Sequence, residues 1–423
     1  MKIAIVGAGV SGLVAAHLLH PEHDITVFEA ADHPGGHTNT VTLPGAARDG
    51  SDLAVDTGFI VFNDRNYPRF EELLVELGVP WRDSDMSFGV SDDAGTFEYA
   101  STSLNGLFST RSNLVKPAFH RMLLDVRRFH RAARELLAGD DDPSLAQWLR
   151  EQRFSDAFVE RLIVPQTAAV WSADPGAMDT FPARFLVEFF DNHGMLSLRG
   201  RPQWRTVVGG SHAYVQALVQ PFERRLRLST PVHAIERDED GVTIVPWNDQ
   251  PERFDHVILA THADRSLAML DEPTALEREI VGAFAYQPNE VVLHTDSSLL
   301  PRHPRARASW NYHLLEQPGD LPTVTYFMNR LQGLDADEDY CVTLNRTEAI
   351  DPTRILRTIA CEHPIFTPEA MAAQARWAEI AGRQRTHFCG AYWGWGFHED
   401  GVVSGIRAAR DVQAVSLLQG ATA

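Results

Sequence analysis

Apolar residues recur along the chain in different rhythms. Residues 2–6 (KIAIV) form a continuous apolar run, which predicts a buried strand. From Ser11 to His20, Leu13, Ala16 and Leu19 share one face at helical spacing, and Pro21 follows the end. Residues 25–29 (ITVFE) return to strand character, giving the order strand, glycine turn, helix, strand. Helical spacing then dominates 66–78 and 117–138; GDDDP at 139–143 breaks the second, and helical character continues through 144–165. Over 226–260 the pattern predicts strands, with a turn at Glu239-Asp240-Gly241 and a buried strand in FDHVILAT. Residues 286–330 mix strands with proline-rich turns. From Thr386 a short strand (THFCGAY) precedes a helix from about Gly401 to Leu418. The expected fold class is α/β. A discontinuous Rossmann-type domain is built from 1–65, 205–265 and 385–423, and an inserted α+β substrate domain from 66–204 and 266–384.

Composition narrows the classes. A chain of 423 residues exceeds one ordinary core. The 38 basic and 57 acidic residues leave a net charge of −19, which argues against nucleic acid as the main partner. Lys2 and Lys116 are the only lysines. Cys341, Cys361 and Cys389 form no CxxC pair, so a reduced, cytoplasmic chain without a metal site is expected. No leader pattern opens the sequence, and no apolar run approaches the roughly 18 residues that span a bilayer. A soluble protein, at most peripheral to a membrane, is expected.

Gly7-Ala8-Gly9-Val10-Ser11-Gly12 completes GxGxxG between the predicted strand and helix. The first glycine permits the tight turn, the second lets backbone approach a diphosphate, and the third lets helix and strand pack closely. Glu29 ends the next strand, 22 residues after Gly7, where an acid meets a ribose hydroxyl and disfavours a 2′-phosphate. Gly35-Gly36 with Thr40 completes GGxxxT. A second GxGxxG is missing, since 207–211 (VVGGS) does not complete one, which argues against an NAD-linked reductase.

GAGVSGLVAAHLL and VFEAADHPGGHTNT resemble the extended FAD-binding motif shared by amine oxidases, protoporphyrinogen oxidases and phytoene desaturases. Three later segments agree: residues 231–235 resemble the strand whose valine, here Val232, pairs with the adenine; residues 257–261, ending at Thr261, resemble the strand returning to the FAD domain; and residues 388–409 resemble the segment whose helix N-terminus faces the flavin. VDTGFIVFNDRNYPRF (55–70), GGHTNT (35–40) and GFHEDGVVSG (396–405) are similar to a bacterial flavin amine-oxidase-like group. That group is related to the FAD oxidase domain fused to plant cyclopropane fatty acid synthases.

The resemblance implies a glutathione-reductase-like FAD domain and non-covalent FAD. It places the cofactor against Gly7, Ala8, Gly9, Val10, Ser11 and Gly12, against Glu29 and Ala30, and against Gly35, Gly36, His37 and Thr38. It adds the backbone amides of Thr57, Gly58 and Phe59 at the flavin pyrimidine edge, then Val232 and Thr261, and finally Gly390, Gly401 and Val402. Trp393 and Trp395, interleaved with glycines like Phe397, stand where amine oxidases place an aromatic cage; core filling is the alternative. Tyr392, able to exchange a proton, and His398 at the helix start complete the candidate catalytic set.

Two departures weaken amine chemistry. There is no candidate for the lysine that many amine oxidases hold at the flavin, and Ala391 replaces the acid that usually follows the terminal glycine. The implied function is an FAD-dependent oxidoreductase taking a hydride from an apolar substrate, a lipid acyl chain or an isoprenoid. A flavin amine oxidase, and a non-catalytic flavoprotein partner of a cyclopropane-synthase-like methyltransferase, stay open. The helix at 117–138 is basic and apolar, carrying His120, Arg121, Arg127, Arg128, Arg131 and Arg134 among Phe119, Met122, Leu123, Leu124, Val126 and Phe129. It suits either a solvated face or peripheral membrane contact.

Overall fold

The computed structural model describes residues 1–171, 181–197, 200–316 and 321–422, with side chains described as far as 416. Parts of the expected insert, 172–180 and 198–199, and of the expected 286–330 strand region, 317–320, lie outside the described residues.

The expected strand–turn–helix–strand opening is present as Lys2–Val6, Val10–Leu19 and Asp24–Phe28. These strands belong to a five-stranded sheet in the order 226–227, 24–28, 2–6, 256–259, 386–388, every neighbour parallel. Parallel neighbours require crossovers, so the sheet gathers strands from both ends and the middle of the chain. Its strands are buried on both faces, which explains their continuous apolar runs. The helix Val10–Leu19 and the last helix, His398–Thr422, lie side by side on it. A Cβ at Gly405 would lie 2.4 Å from the Ser11 carbonyl oxygen, so glycine sets that close approach.

The second unit is a seven-stranded sheet in the order 355–365, 285–294, 341–344, 324–327, 310–314, 88–92, 98–100. Its pairs are antiparallel except 310–314 with 88–92. Helices between 104 and 192 pack with it into the largest apolar cluster. The expected helices at 66–78 and 117–138 appear as Pro68–Glu76 and Pro117–Ala138, each opened by a proline whose missing N–H costs nothing there. Residues 144–165 break into short helices with a π-helical turn at Val159–Ile163. Phe70, Leu73, Leu74 and Val79, which the sequence reading put in the insert, pack instead in the core of the five-stranded sheet. Ala263, Leu270, Ile280 and Phe284 join the core on its other side.

Candidate active site

Glycine geometry makes an open cradle at the C-terminal edge of the parallel sheet. Gly7 has a positive φ of 105°, and its N–H bonds to the Phe28 carbonyl at 2.8 Å. A Cβ at Gly12 would lie 2.0 Å from the Gly7 carbonyl oxygen, and one at Gly7 2.8 Å from that of Ala260 and 3.1 Å from Thr261. Gly9 differs: a Cβ there meets nothing within 4 Å. It caps the helix Val10–Leu19 without any side-chain hydrogen bond, so the first helical N–H groups of Val10 and Ser11 face that space. Gly401 of the last helix sits against them, where a Cβ would lie 2.6 Å from Val10. Val402 beside it is buried. Two helix N-termini, each partially positive, thus converge.

Glu29 closes one end. Its carboxylate accepts the Ala8 N–H at 2.7 Å and the Ala31 N–H at 2.9 Å, which leaves acceptor capacity for hydroxyls. Ala30 between them is exposed. The 229–230 backbone bonds to residues 29 and 31, which brings Val232 to this end. Gly35 and Gly36 both have positive φ; Gly35 pairs with Gly9, and its N–H reaches the Ala8 carbonyl at 2.8 Å.

The other end runs from His37 to the last helix. Thr57 and Phe59 donate their N–H groups to the Asn39 and His37 carbonyls, both at 2.8 Å. The expectation that three amides of 57–59 are free for a ligand is therefore corrected: the strand-like pairing consumes two, and only that of the exposed Gly58 has no backbone acceptor among the described residues. Thr38 Oγ1, Tyr214 Oη and His398 Nε2 form a chain with both links at 2.7 Å. His398 also stacks on Phe59, ring centres 3.7 Å apart, and burial lowers its pKa to about 3, so it is neutral.

The aromatic run divides. Asp400 accepts the N–H groups of Trp395 and Phe397 at 3.1 and 2.9 Å, folding that segment toward the insert. Burial raises its carboxyl to about 7 against those two bonds. Trp395 and Phe397 meet Phe185 and Phe189 of the helix Ala183–Asn192, with Phe366 and Trp171 behind them. Trp171 Nε1 donates to the Trp395 carbonyl at 3.3 Å. His193 completes this wall, its pKa lowered to about 4 by burial.

Tyr392 and Trp393 do not join the wall. They pack with Phe284 in the core beside the parallel sheet. Their polar atoms, Tyr392 Oη and Trp393 Nε1, are closed to solvent and make no hydrogen bond of ordinary geometry among the described residues. A hydroxyl facing an open cleft would remain accessible, so the expected proton-exchanging role of Tyr392 and cage role of Trp393 are corrected to core packing. Gly390 holds its place by an N–H bond to Ser404 Oγ at 3.1 Å. Glu399 accepts the Arg69 and Phe70 N–H groups at 3.0 and 2.9 Å, and so caps the helix Pro68–Glu76.

Comparison with known proteins decides the class. Residues 10–340 match the family of flavin containing amine oxidoreductases. The chain belongs to that family. A putative flavin-containing monoamine oxidase, AofH of Mycobacterium tuberculosis, is 28% identical over 297 residues, covering 64% of this chain and 60% of that protein. The chain thus matches about three-fifths of the length of that curated relative. Cyclohexylamine oxidase from Brevibacterium oxydans IH-35A superposes with a TM-score of 0.69 at 16% identity, over 98% of this chain and 99% of that one. A fatty acid isomerase from P. acnes superposes at 0.66 and 16%, over 96% and 98%. At these identities the likeness shows the fold.

The site also holds residues without a reading in the sequence analysis. His262 follows Thr261, and Glu362 and His363 come from the strand Ile355–Ile365. His37 lies between them, 5.8 Å from the His262 ring and 5.7 Å from that of His363. His37 keeps accessible surface, and the surrounding protein with the nearby His262 lowers its pKa to about 4. Burial likewise takes His363 to about 3 and lowers His262, whose Nδ1 lies 3.3 Å from Glu362. Asp56, which opens the 56–59 segment expected at the flavin edge, has a further role as a side chain. Fully buried, it accepts Thr40, Ser211 and Gln332 side chains, and burial raises it to about 6. His262 had a signal, adjacency to a predicted strand end. Glu362, His363 and Gln332 had none.

Proposed function

We propose that this oxidoreductase acts on an apolar C–H substrate, a lipid acyl chain or an isoprenoid, rather than on a cationic amine. The observation that carries the reading is the half-buried pair Trp395 and Phe397 backed by the buried Phe185, Phe189 and Phe366, whose one titratable member among the described residues, His193, is neutral. Both lysines are engaged elsewhere: Lys2 Nζ lies 2.7 Å from Glu252, and Lys116 Nζ 3.4 Å from the Thr96 carbonyl. A methylene chain loses nothing in such surroundings, whereas an ammonium loses its hydration.

The residues fit FAD held non-covalently. The uncapped N–H groups after Gly9 suit a diphosphate, Glu29 a ribose, and the free Gly58 amide a carbonyl of the ring. When bound, FAD supplies hydride acceptance from a substrate C–H bond. The chain's part is to bind and orient the substrate, to exclude water with the aromatic wall, and to direct two helix N-termini at the cradle.

The test is anaerobic titration of the purified holoprotein, followed by its visible flavin spectrum. Membrane lipid extract or free unsaturated fatty acids should bleach the flavin, while putrescine, cyclohexylamine and benzylamine leave it yellow. Bleaching by amines with no response to lipid reverses the reading. The 28% identity to AofH favours that second reading, flavin amine oxidation, which predicts hydrogen peroxide release with amines in air. Trp395→Ala should lower kcat/KM for the true substrate roughly tenfold or more, through loss of positioning contacts.

A further inference from the structure

The long insert helix Pro117–Ala138 turns one face inward. Phe119, Met122, Phe129, Ala132, Ala133 and Leu136 are buried in the cluster against which Trp395 packs. Its outer face carries Leu124, and with the segment before the helix it presents apolar side chains that nothing among the described residues covers. Leu104 is 79% exposed, Val115 81%, Leu114 50% and Leu124 59%. Backbone bonds and a ring contact tie together the segments that carry them. Phe108 bonds through its N–H to the Leu104 carbonyl, and its ring lies 6.1 Å from His120. His120 Nε2 lies 2.8 Å from the Leu114 carbonyl, and Leu124 follows one turn on.

Charge surrounds this patch. Between 101 and 134 the sequence carries seven Lys and Arg and one acid, a local balance of +6 in a chain of net −19. The acid, Asp125, is fully buried and holds Arg121, Arg128 and the Ser155 amide, so two guanidiniums share one carboxylate. Arg131 pairs with Glu135. Arg127 has no acidic partner among the described residues, and Lys116 and Arg111 reach only carbonyl oxygens. On the neighbouring strand Asp92 turns into its own loop, bonding Thr96.

We propose that this face docks on an anionic lipid bilayer. Protruding leucines and valine ringed by cations match a surface that offers phosphates above acyl chains, each basic group near such a surface raising partition about fivefold. A protein partner is the poorer match, because anchors at protein interfaces are chiefly Trp, Tyr and Arg in central pockets, and the exposed large residues here are aliphatic. The inference stands apart from the substrate reading: a chain that binds vesicles yet oxidises only amines keeps the first and loses the second.

The experiment is co-sedimentation of the FAD-loaded protein with phosphatidylcholine vesicles, with and without phosphatidylglycerol. Binding should require phosphatidylglycerol and weaken with salt. Leu104→Glu with Val115→Glu, at positions too exposed to upset folding, should cut it at least tenfold, and Arg127→Glu severalfold. Unchanged circular dichroism and flavin spectra verify that both variants are folded. Three results overturn the proposal. The first is no binding to either vesicle. The second is vesicle or polyglutamate binding indifferent to the Leu104 and Val115 changes, which marks a purely electrostatic or acidic-protein contact. The third is a dimer dispersed by those changes, which makes the occupant a second copy.

Discussion

Gly9→Val yields a folded, colourless protein. Gly9 has φ −73° and ψ 177°, ordinary values for a side-chain-bearing residue, and a Cβ there meets nothing within 4 Å. The protein alone therefore tolerates the change, and circular dichroism and melting should stay near those of the unaltered apoprotein. What the valine fills is the space in front of the Val10 and Ser11 N–H groups, where a diphosphate would accept charge-assisted hydrogen bonds. Losing about two such bonds, each worth roughly 1.5–3 kcal/mol, weakens FAD binding about 10²- to 10⁴-fold. The measurement is the ratio of flavin to protein absorbance after purification and again after adding FAD. Gly12→Ala should behave differently. Its Cβ would lie 2.0 Å from the Gly7 carbonyl, so the strand–helix turn must shift and stability falls as well as cofactor content. A Gly9→Val protein that purifies fully yellow would remove the cradle from the cofactor site.

The second large effect concerns a buried ion pair remote from the wall. Arg237 and Glu277 are 4% and 2% exposed, with Nη1–Oε1 at 2.6 Å and Nη2–Oε2 at 3.0 Å. Arg237 also reaches the Glu272 carbonyl, and Glu277 closes a capping box with Thr274. Glu277→Ala strands a buried guanidinium, which costs about 3–5 kcal/mol, a Tm loss of roughly 3–6 °C by differential scanning calorimetry. Arg237→Met combined with Glu277→Leu should recover most of it, because the cost lies in the unpaired charge. Burial alone would raise the Glu277 carboxyl, but Arg237 and the Thr274 amide hold it below its ordinary 4.5. A depressed carboxylate pKa contributes stability above the unfolded value and loses it as pH falls through the folded one. The deficit of the alanine variant should therefore narrow below about pH 4.5. A deficit constant with pH would assign the loss to the helix cap instead.

Different physical ranges separate what was legible in sequence from what was not. The glycine turn, its flanking strands and Glu29 were legible because short-range sterics decide them: only glycine takes the φ of Gly7 or the closeness of Gly12. The helices Pro68–Glu76 and Pro117–Ala138 were legible for the same local reason, a proline start and an unbroken apolar stripe. The strand Ile355–Ile365 was not. It lies at the edge of its sheet, carries Pro364 and buries neither face fully, so it shows no clear alternation. Nor could 391–400 be divided in advance. Trp393 and Trp395 look alike in sequence, and the Asp400 bonds to Trp395 and Phe397 send one to the wall and leave the other in the core.

By itself, then, the sequence determined a dinucleotide cradle, because its constraints act over a few neighbouring residues. Tertiary structure decided what stands before that cradle. The His37, His262 and His363 group and the aromatic wall are made by segments far apart in the chain. Register and packing between those segments, which no local spacing encodes, place them together.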